Sequence, residues 1–486
     1  MNTRMLLALT GALFLAGCGG SSTPPPPPPL PDVSTSDIVT FGTITRFGSV
    51  YANGVVYDCN GANVTMNDEV GQLADLRVGH VVAITATIRA REQVAKALTI
   101  GCLDEAEGPV SDLDLEDNSF VLLGRTVHFD ELTVFENVGY DELANGNVVR
   151  VIGHERYQDR IQATHIERIA NAWAVGMRME VKGNISDLDP GLMRFRIGTQ
   201  WCDYSNAMME LGSADLANGL YVEVKSTSPM LKGDLMLDQV RARDRDRDRD
   251  RDRQCADGCV YDLEGYVTEF VSPLDFVVDG AAVTTTTATI YVNGTVDTLA
   301  NDIKVSITGD FNDEDVLVAE RIVFHLPSVV QIEADLEAVD VDSATVTLLG
   351  IEVTTDDSTM FRDVSDAAVY EFWLDDLAVG DRIEIRAYLD GATVVATRLE
   401  RDDAEDTVTL KAPVEAVDRP SLTMLGVSVT ARDGTVFQAA DKTVIDEEAF
   451  FDLVEVGTLV KAVGIDNGAG ITADTLFIRE CVNSCL

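Results

Sequence analysis

The chain has 486 residues, 82 acidic against 37 basic, for a formal net charge of −45. Hydrophobic residues make up 46%, enough to build cores, which excludes a disordered acidic tail. The acidity argues against nucleic acid as a partner, because a phosphate-binding surface needs clustered Lys and Arg. Length alone suggests about three domains at roughly 150 residues each.

Residues 1–17 read as a signal peptide. Arg4 follows the start, and Met5 to Ala16 is an apolar run too short for a membrane span of ~20 residues. It ends in Leu15, Ala16, Gly17 and Cys18, which resembles the lipobox of bacterial lipoproteins. That resemblance implies cleavage before Cys18 and acylation of its thiol and amino group; the alternative is an ordinary secretory signal with a chance cysteine. Several acyl chains hold a protein firmly on a bilayer. Gly19 in place of an aspartate favours the outer membrane of a diderm bacterium, on its periplasmic face or at the cell surface. Residues 18–37 form a Gly/Ser/Pro linker in which Pro24 to Pro29 and Pro31 impose a stiff extended helix. At ~3.1 Å per residue the linker reaches up to roughly 60 Å.

Internal repeats change the domain count. A turn glycine flanked by strand residues recurs at Gly54, Gly124, Gly198, Gly280, Gly350 and Gly426, with spacings of 70, 74, 82, 70 and 76 residues. A second signature follows each one, as in Leu76 to Gly79, Leu143 to Gly146, Leu216 to Gly219, Leu299 to Asp302, Leu377 to Gly380 and Leu453 to Gly457. Within a repeat the apolar period is two, as in Val330, Ile332, Ala334 and Leu336, so each run is a strand with one buried face. Before the second signature the pattern turns helical, as over 366–377 and 446–453. Three strands, a short helix and two strands in ~70 residues is the element order of an OB-type barrel. The expected fold is all-β, with about six tandem OB-like barrels of five strands plus one short helix. SH3-like barrels or small sandwiches are the alternative. The repeats span 38–103, 104–171, 176–242, 254–326, 328–401 and 406–486, and are expected to behave as separate beads with their own cores.

The G-x-V turn, the L-x-x-G corner and a terminal A-x-x-I strand (Ala163 to Ile166, Ala319 to Ile322) resemble the bacterial domain of unknown function numbered 5666. The resemblance runs from about Val39 to Glu480, with the third repeat departing from it most. It implies tandem domains in a lipoprotein, but no activity, cofactor or catalytic residue.

Residues 254–486 hold 46 of the acidic and 13 of the basic residues, so most of the charge is distal. That half is a cation attractor, although the acidic runs at 112–117 and 310–315 lack the spacing and glycine of an EF-hand loop. Between repeats three and four, residues 243–253 alternate six arginines with five aspartates. With no apolar residue this segment reads as a solvated linker dividing the body into two groups of three.

Export favours disulfides among Cys59, Cys102, Cys202, Cys255, Cys259, Cys481 and Cys485. Cys59 with Cys102, Cys202 with Cys255 or Cys259, and Cys481 with Cys485 are plausible pairs; an odd total leaves one over. No metal or other cofactor is expected. The only weak metal candidates are His128, His154 and His165, the last two facing each other if Asp159 and Arg160 form a two-residue hairpin turn. No H-E-x-x-H, G-x-S-x-G, Walker or dinucleotide motif occurs, so no catalytic residue is assigned and an enzyme is not expected. The leading reading is a non-enzymatic, lipid-anchored binding or spacer array whose partners are the membrane and envelope proteins or glycans. A glycan-binding module is the first alternative, with Tyr57, Trp201 and Tyr204 as stacking residues on the face of strands two and three. A divalent-cation-binding envelope protein is the second.

Overall fold

The computed structural model describes residues 35–89, 94–243 and 259–479. The signal peptide, Cys18, most of the Pro-rich linker, residues 244–253, Cys255, Cys481 and Cys485 lie outside the described residues. The first barrel comprises β1 (Thr35–Arg46), β2 (Val50–Ala52), β3 (Val55–Asp58), β4 (Asn63–Met66), β5 (Glu69–Val70), β6 (Val81–Arg89) and β7 (Val94–Cys102). Three antiparallel strands lead into a parallel pairing of β3 with β7; β6 then bridges β7 back to β1 and closes the circuit. This one-two-three-five-four-one order is the OB-type barrel.

The second barrel repeats the circuit with β8 (Ala106–Asp114), β9 (Ser119–Leu122), β10 (Arg125–His128), β11 (Val134–Glu136), β12 (Val148–Arg156) and β13 (Arg160–Ala170). So does the third, with β14 (Met179–Asp189), β15 (Arg194–Ile197), β16 (Gln200–Asp203), β17 (Met208–Glu210), β18 (Tyr221–Ser226), β19 (Leu235–Met236) and β20 (Gln239–Ala242). The same pairings recur over 260–324, 330–402 and 408–479. Period-two patterning explains the cores: Phe120, Leu122 and Val127 point inward while Val121 and Thr126 do not. Each such side chain contributes about 1.5–3 kcal/mol by leaving water.

Both recurring motifs have a backbone cause. The first glycine closes the hairpin between strands two and three, where both turn residues are left-handed, as at Leu123 (φ 47°) and Gly124 (φ 86°). The corner glycine is left-handed too, and its N–H returns to strand one, as from Gly146 to Val110 O (2.8 Å) and Gly380 to Leu336 O (2.8 Å). The leucine three residues earlier plugs the barrel end; Leu76 and Leu143 are buried.

The expected short helix is a seven-residue α-helix only at Glu447–Leu453, capped by Asp446. In four other barrels a three-residue 3-10 turn replaces it, its last side chain accepting from the N-cap N–H, as Asp376 does from Trp373 (2.9 Å). The helical pattern over 366–377 reflects another use of its aromatics. Tyr370 stacks on Phe47 of the first barrel at 4.5 Å, and its hydroxyl donates to Leu76 O at 3.1 Å.

The barrels are not separate beads. First strands pair across barrels: β8 runs antiparallel to β14, and Gln331–Glu333 runs antiparallel to Thr409–Lys411. The second and third barrels therefore share one continuous core, as do the fifth and sixth. Ile38–Phe41 of the first barrel runs parallel to Val260–Leu263 of the fourth, so pairing crosses the Arg–Asp segment instead of stopping at it. Arg243, expected in that solvated linker, is 5% exposed and bridges Glu223 to Asp68 of the first barrel. A body built this way cannot divide into two independent groups of three.

Candidate functional site

In the third barrel β15 and β16 alternate strictly. Phe195, Ile197 and Cys202 enter the core, leaving Arg194, Arg196 and Trp201 on the outer face of strands two and three. Register places Arg196 directly opposite Trp201. The guanidinium carbons of Arg194 and Arg196 lie 4.3 and 4.4 Å from the indole centroid, well within cation–π range. The strand-four-to-five loop closes one side, since Gln200 Nε2 donates to Gly233 O at 2.7 Å and to Trp201 O at 2.8 Å. Asp234 stands 3.9 Å from Arg194 and Asp187 3.4 Å from Arg196, too far for strong charge-assisted bonds. Neither arginine Nε has a hydrogen-bond partner.

In the first barrel Arg46 stacks on Tyr51 at 3.5 Å, but Trp373 of the fifth barrel covers that guanidinium at 3.3 Å and leaves it buried; the other siblings present no such set at the same register. The pairs equivalent to Arg196 and Trp201 are Tyr51 with Val56, Val121 with Thr126, Val277 with Ala282, Thr347 with Glu352 and Thr423 with Ser428. The two arginines were not singled out from the sequence, although comparing the repeats position by position exposes them.

Of the three expected stacking aromatics, only Trp201 lies on that face. Tyr57 is fully buried in the first barrel with its hydroxyl 2.5 Å from Thr40 Oγ1, and burial pushes its phenol well above the ordinary value. Tyr204 stacks on Phe195 at 5.6 Å and packs against the core. Neither offers a free ring.

The expected histidine cluster does not form. The hairpin turn is longer than two residues, since Arg156 pairs with Arg160, and a bulge follows between Ile152 and Gly153. His154 therefore pairs with Gln162, and His165 with Ile152. Gly153 permits the bulge, because a Cβ there would meet Gln162 O at 2.1 Å. His165 instead faces Glu136 (3.2 Å) and His80 of the first barrel (4.6 Å between rings), while His128 is half-buried elsewhere. Among the described residues no group of three or more His, Cys, Asp or Glu is placed to hold a metal ion. The acidic runs are hairpin turns capped by their own side chains, Asp114 accepting from Glu116 N and Asn312 from Glu314 N.

His154 meets a hydroxyl and a carboxylate, yet not as a catalytic relay. Thr43 Oγ1 lies 3.1 Å and Glu264 Oε1 3.5 Å from the same ring nitrogen, Nε2, while Nδ1 has no hydrogen-bond partner. A relay needs the carboxylate on one nitrogen and the nucleophile on the other. Here all three residues are buried, and Lys304 also pairs with Glu264. This cluster pins the first, second and fourth barrels together.

The thiols correct two expected disulfides. Cys59, Cys102 and Cys202 are free, so the first pair does not form and Cys202 has no partner; Cys259 is not among these free thiols. Burial pushes all three thiols up, Cys202 to about 12, so none is poised as a nucleophile.

Fold and site together define an assembly of OB-type barrels with one distinctive outer face. Family comparison agrees with the fold: residues 107–167, 264–323 and 335–400 match the Domain of unknown function (DUF5666). Three regions of the chain thus match this domain, one each on the second, fourth and fifth barrels. No curated protein matches it.

Proposed function

We propose that the chain is a non-enzymatic binding protein of the cell envelope, held to the outer membrane through a lipid on Cys18, and that it binds glycan. The observation carrying this reading is the Trp201 face of the third barrel, which lies where OB-type barrels take oligosaccharides. The nearest sibling arrangement, Arg46 on Tyr51 of the first barrel, is covered by Trp373 of the fifth, whereas the Trp201 face is not capped in this way. Sharing of sheets between barrels weighs against an extended spacer, since each barrel's reach is spent on its neighbour. The test is capture of envelope glycans by the mature chain, compared with Trp201→Ala. Capture by the wild type and loss in the variant, at unchanged melting temperature, supports the reading. Equal capture by both would sink it.

A further inference from the structure

Resting on that reading, we propose that the Trp201 face selects acidic sugars, and that Arg194 and Arg196 are the residues that do so. A neutral glycan needs a ring platform and a few hydroxyl partners; two guanidiniums beside the platform serve a carboxylate. Arginine presents its N–H donors as a planar fork that matches a carboxylate with two parallel bonds. Stacking on the indole holds each guanidinium plane in place and lowers the ordering cost of binding. The aspartates nearby, at 3.9 and 3.4 Å from the Nη groups, do not satisfy those forks; both Nε atoms are shut off from solvent, so the carboxylate meets the guanidiniums through their outer Nη groups. The arginine side chains are 33% and 38% exposed, so a ligand can reach them where they stand.

Charge decides how dense that ligand can be. The chain bears −45, so a polyanion with a charge on every subunit backbone, such as nucleic acid, is repelled by the rest of the body. A chain of sugars carrying isolated carboxylates can set one of them into the guanidinium pair and rest an apolar ring face against the indole edge. A uronic-acid oligosaccharide has that chemistry.

The experiment is calorimetric titration of the full mature chain with aldotetraouronic acid, a neutral xylotriose bearing a single glucuronate, and with its methyl ester at 0.1 M salt. Each titration is run on wild type, Arg194→Gln/Arg196→Gln and Trp201→Ala, with melting temperatures as the folding control. The expected result is binding of the acid at least tenfold tighter than the ester, a preference abolished in the double arginine variant and binding of both lost in Trp201→Ala. Equal binding of acid and ester by the wild type overturns the acidic preference while leaving the glycan reading standing. A preference that survives the double variant overturns the role of the arginines. No binding of either sugar overturns this inference, and the capture experiment then decides the glycan reading separately.

Discussion

Asp302 of the fourth barrel accepts from Arg160 Nη2 of the second at 2.5 Å, and it does so from a position where the sibling barrels carry a left-handed glycine or an equivalent corner. Its own φ is 68°, and its N–H still returns to strand one at Val267 O (2.8 Å). The same carboxylate receives Arg156 Nε and Tyr157 N, both at 3.2 Å. The departure from the L-x-x-G motif is therefore an exchange of backbone comfort for a bridge between barrels. Asp302→Gly restores the comfort and deletes the bridge. These groups are about a quarter exposed, so the expected net loss is about 1 kcal/mol, read as a lower urea midpoint with an unchanged slope. A variant as stable as the wild type would show that the bridge contributes nothing.

Acid should loosen the body through its buried histidines. His325 is pushed down to about 4 by burial and by Lys304, and its Nε2 lies 2.8 Å from Ser306 Oγ; His80, buried against His165, is also held well below its ordinary value. Above pH 6.5 both folded and unfolded chains keep these rings neutral. Below it the unfolded chain takes up protons that the folded chain refuses, so stability falls as pH drops from 6.5 toward 4. Glu264, held low by Lys304 and His154 despite burial, adds to the loss below pH 4.5. For His325 alone the loss amounts to about 3 kcal/mol by pH 4. Because its side chain cannot titrate, His325→Gln should lose less melting temperature than the wild type between pH 7.5 and 4. An unchanged slope in the variant would assign the acid sensitivity elsewhere.

Barrel topology was legible because its causes are local. The hairpin at Leu123 and Gly124 needs left-handed backbone, the corner at Gly146 needs it again, and period-two burial between them leaves little choice of strand. How barrels join was not legible, because the pins are distant in sequence: Thr43 meets His154 across 111 residues and Glu264 across 221. The histidine pairing failed for a smaller reason, a turn one residue longer than assumed plus a bulge at Gly153, each of which shifts which side chains meet. The aromatics of 366–377 imitated a helix because docking on Phe47 and Arg46 also needs closely spaced large side chains; the Arg46 guanidinium sits 3.3 Å from the Trp373 centroid. At the candidate site, Trp201 stood out by residue type, whereas its arginines gain meaning only from register.

The lipid proposed on Cys18 predicts a clean fractionation result. Cys18→Ser should move the protein from the membrane pellet to the soluble fraction, since one apolar run of 12 residues is too short to span a bilayer. Retention in the pellet would contradict acylation as the anchor.

Glu180 and Glu223 supply a pH effect of opposite sign to that of the histidines. They lie on the paired strands β14 and β18, both within reach of Lys225 Nζ, at 3.5 and 2.6 Å. Burial and the hydrogen bond from one carboxyl to the other raise Glu180 above its ordinary 4.5. Despite burial, the same bond together with Arg243 holds Glu223 below it. The pair therefore shares one proton, with Glu180 the protonated member. A raised folded value means stability complete below pH 4.5 and lost as pH rises above it, because the unfolded carboxyl ionises first. Glu180→Gln cannot titrate, so its stability relative to wild type should improve between pH 4.5 and 8. Glu223→Gln should behave differently. It removes one of the anions that face buried Arg243, Asp68 remaining, and should cost about 1–3 kcal/mol at neutral pH through the lost charge-assisted bond. Urea denaturation of both variants at pH 5 and pH 8 separates the roles. If Glu180→Gln loses stability as pH rises, or if the two variants behave alike, the shared-proton assignment is wrong.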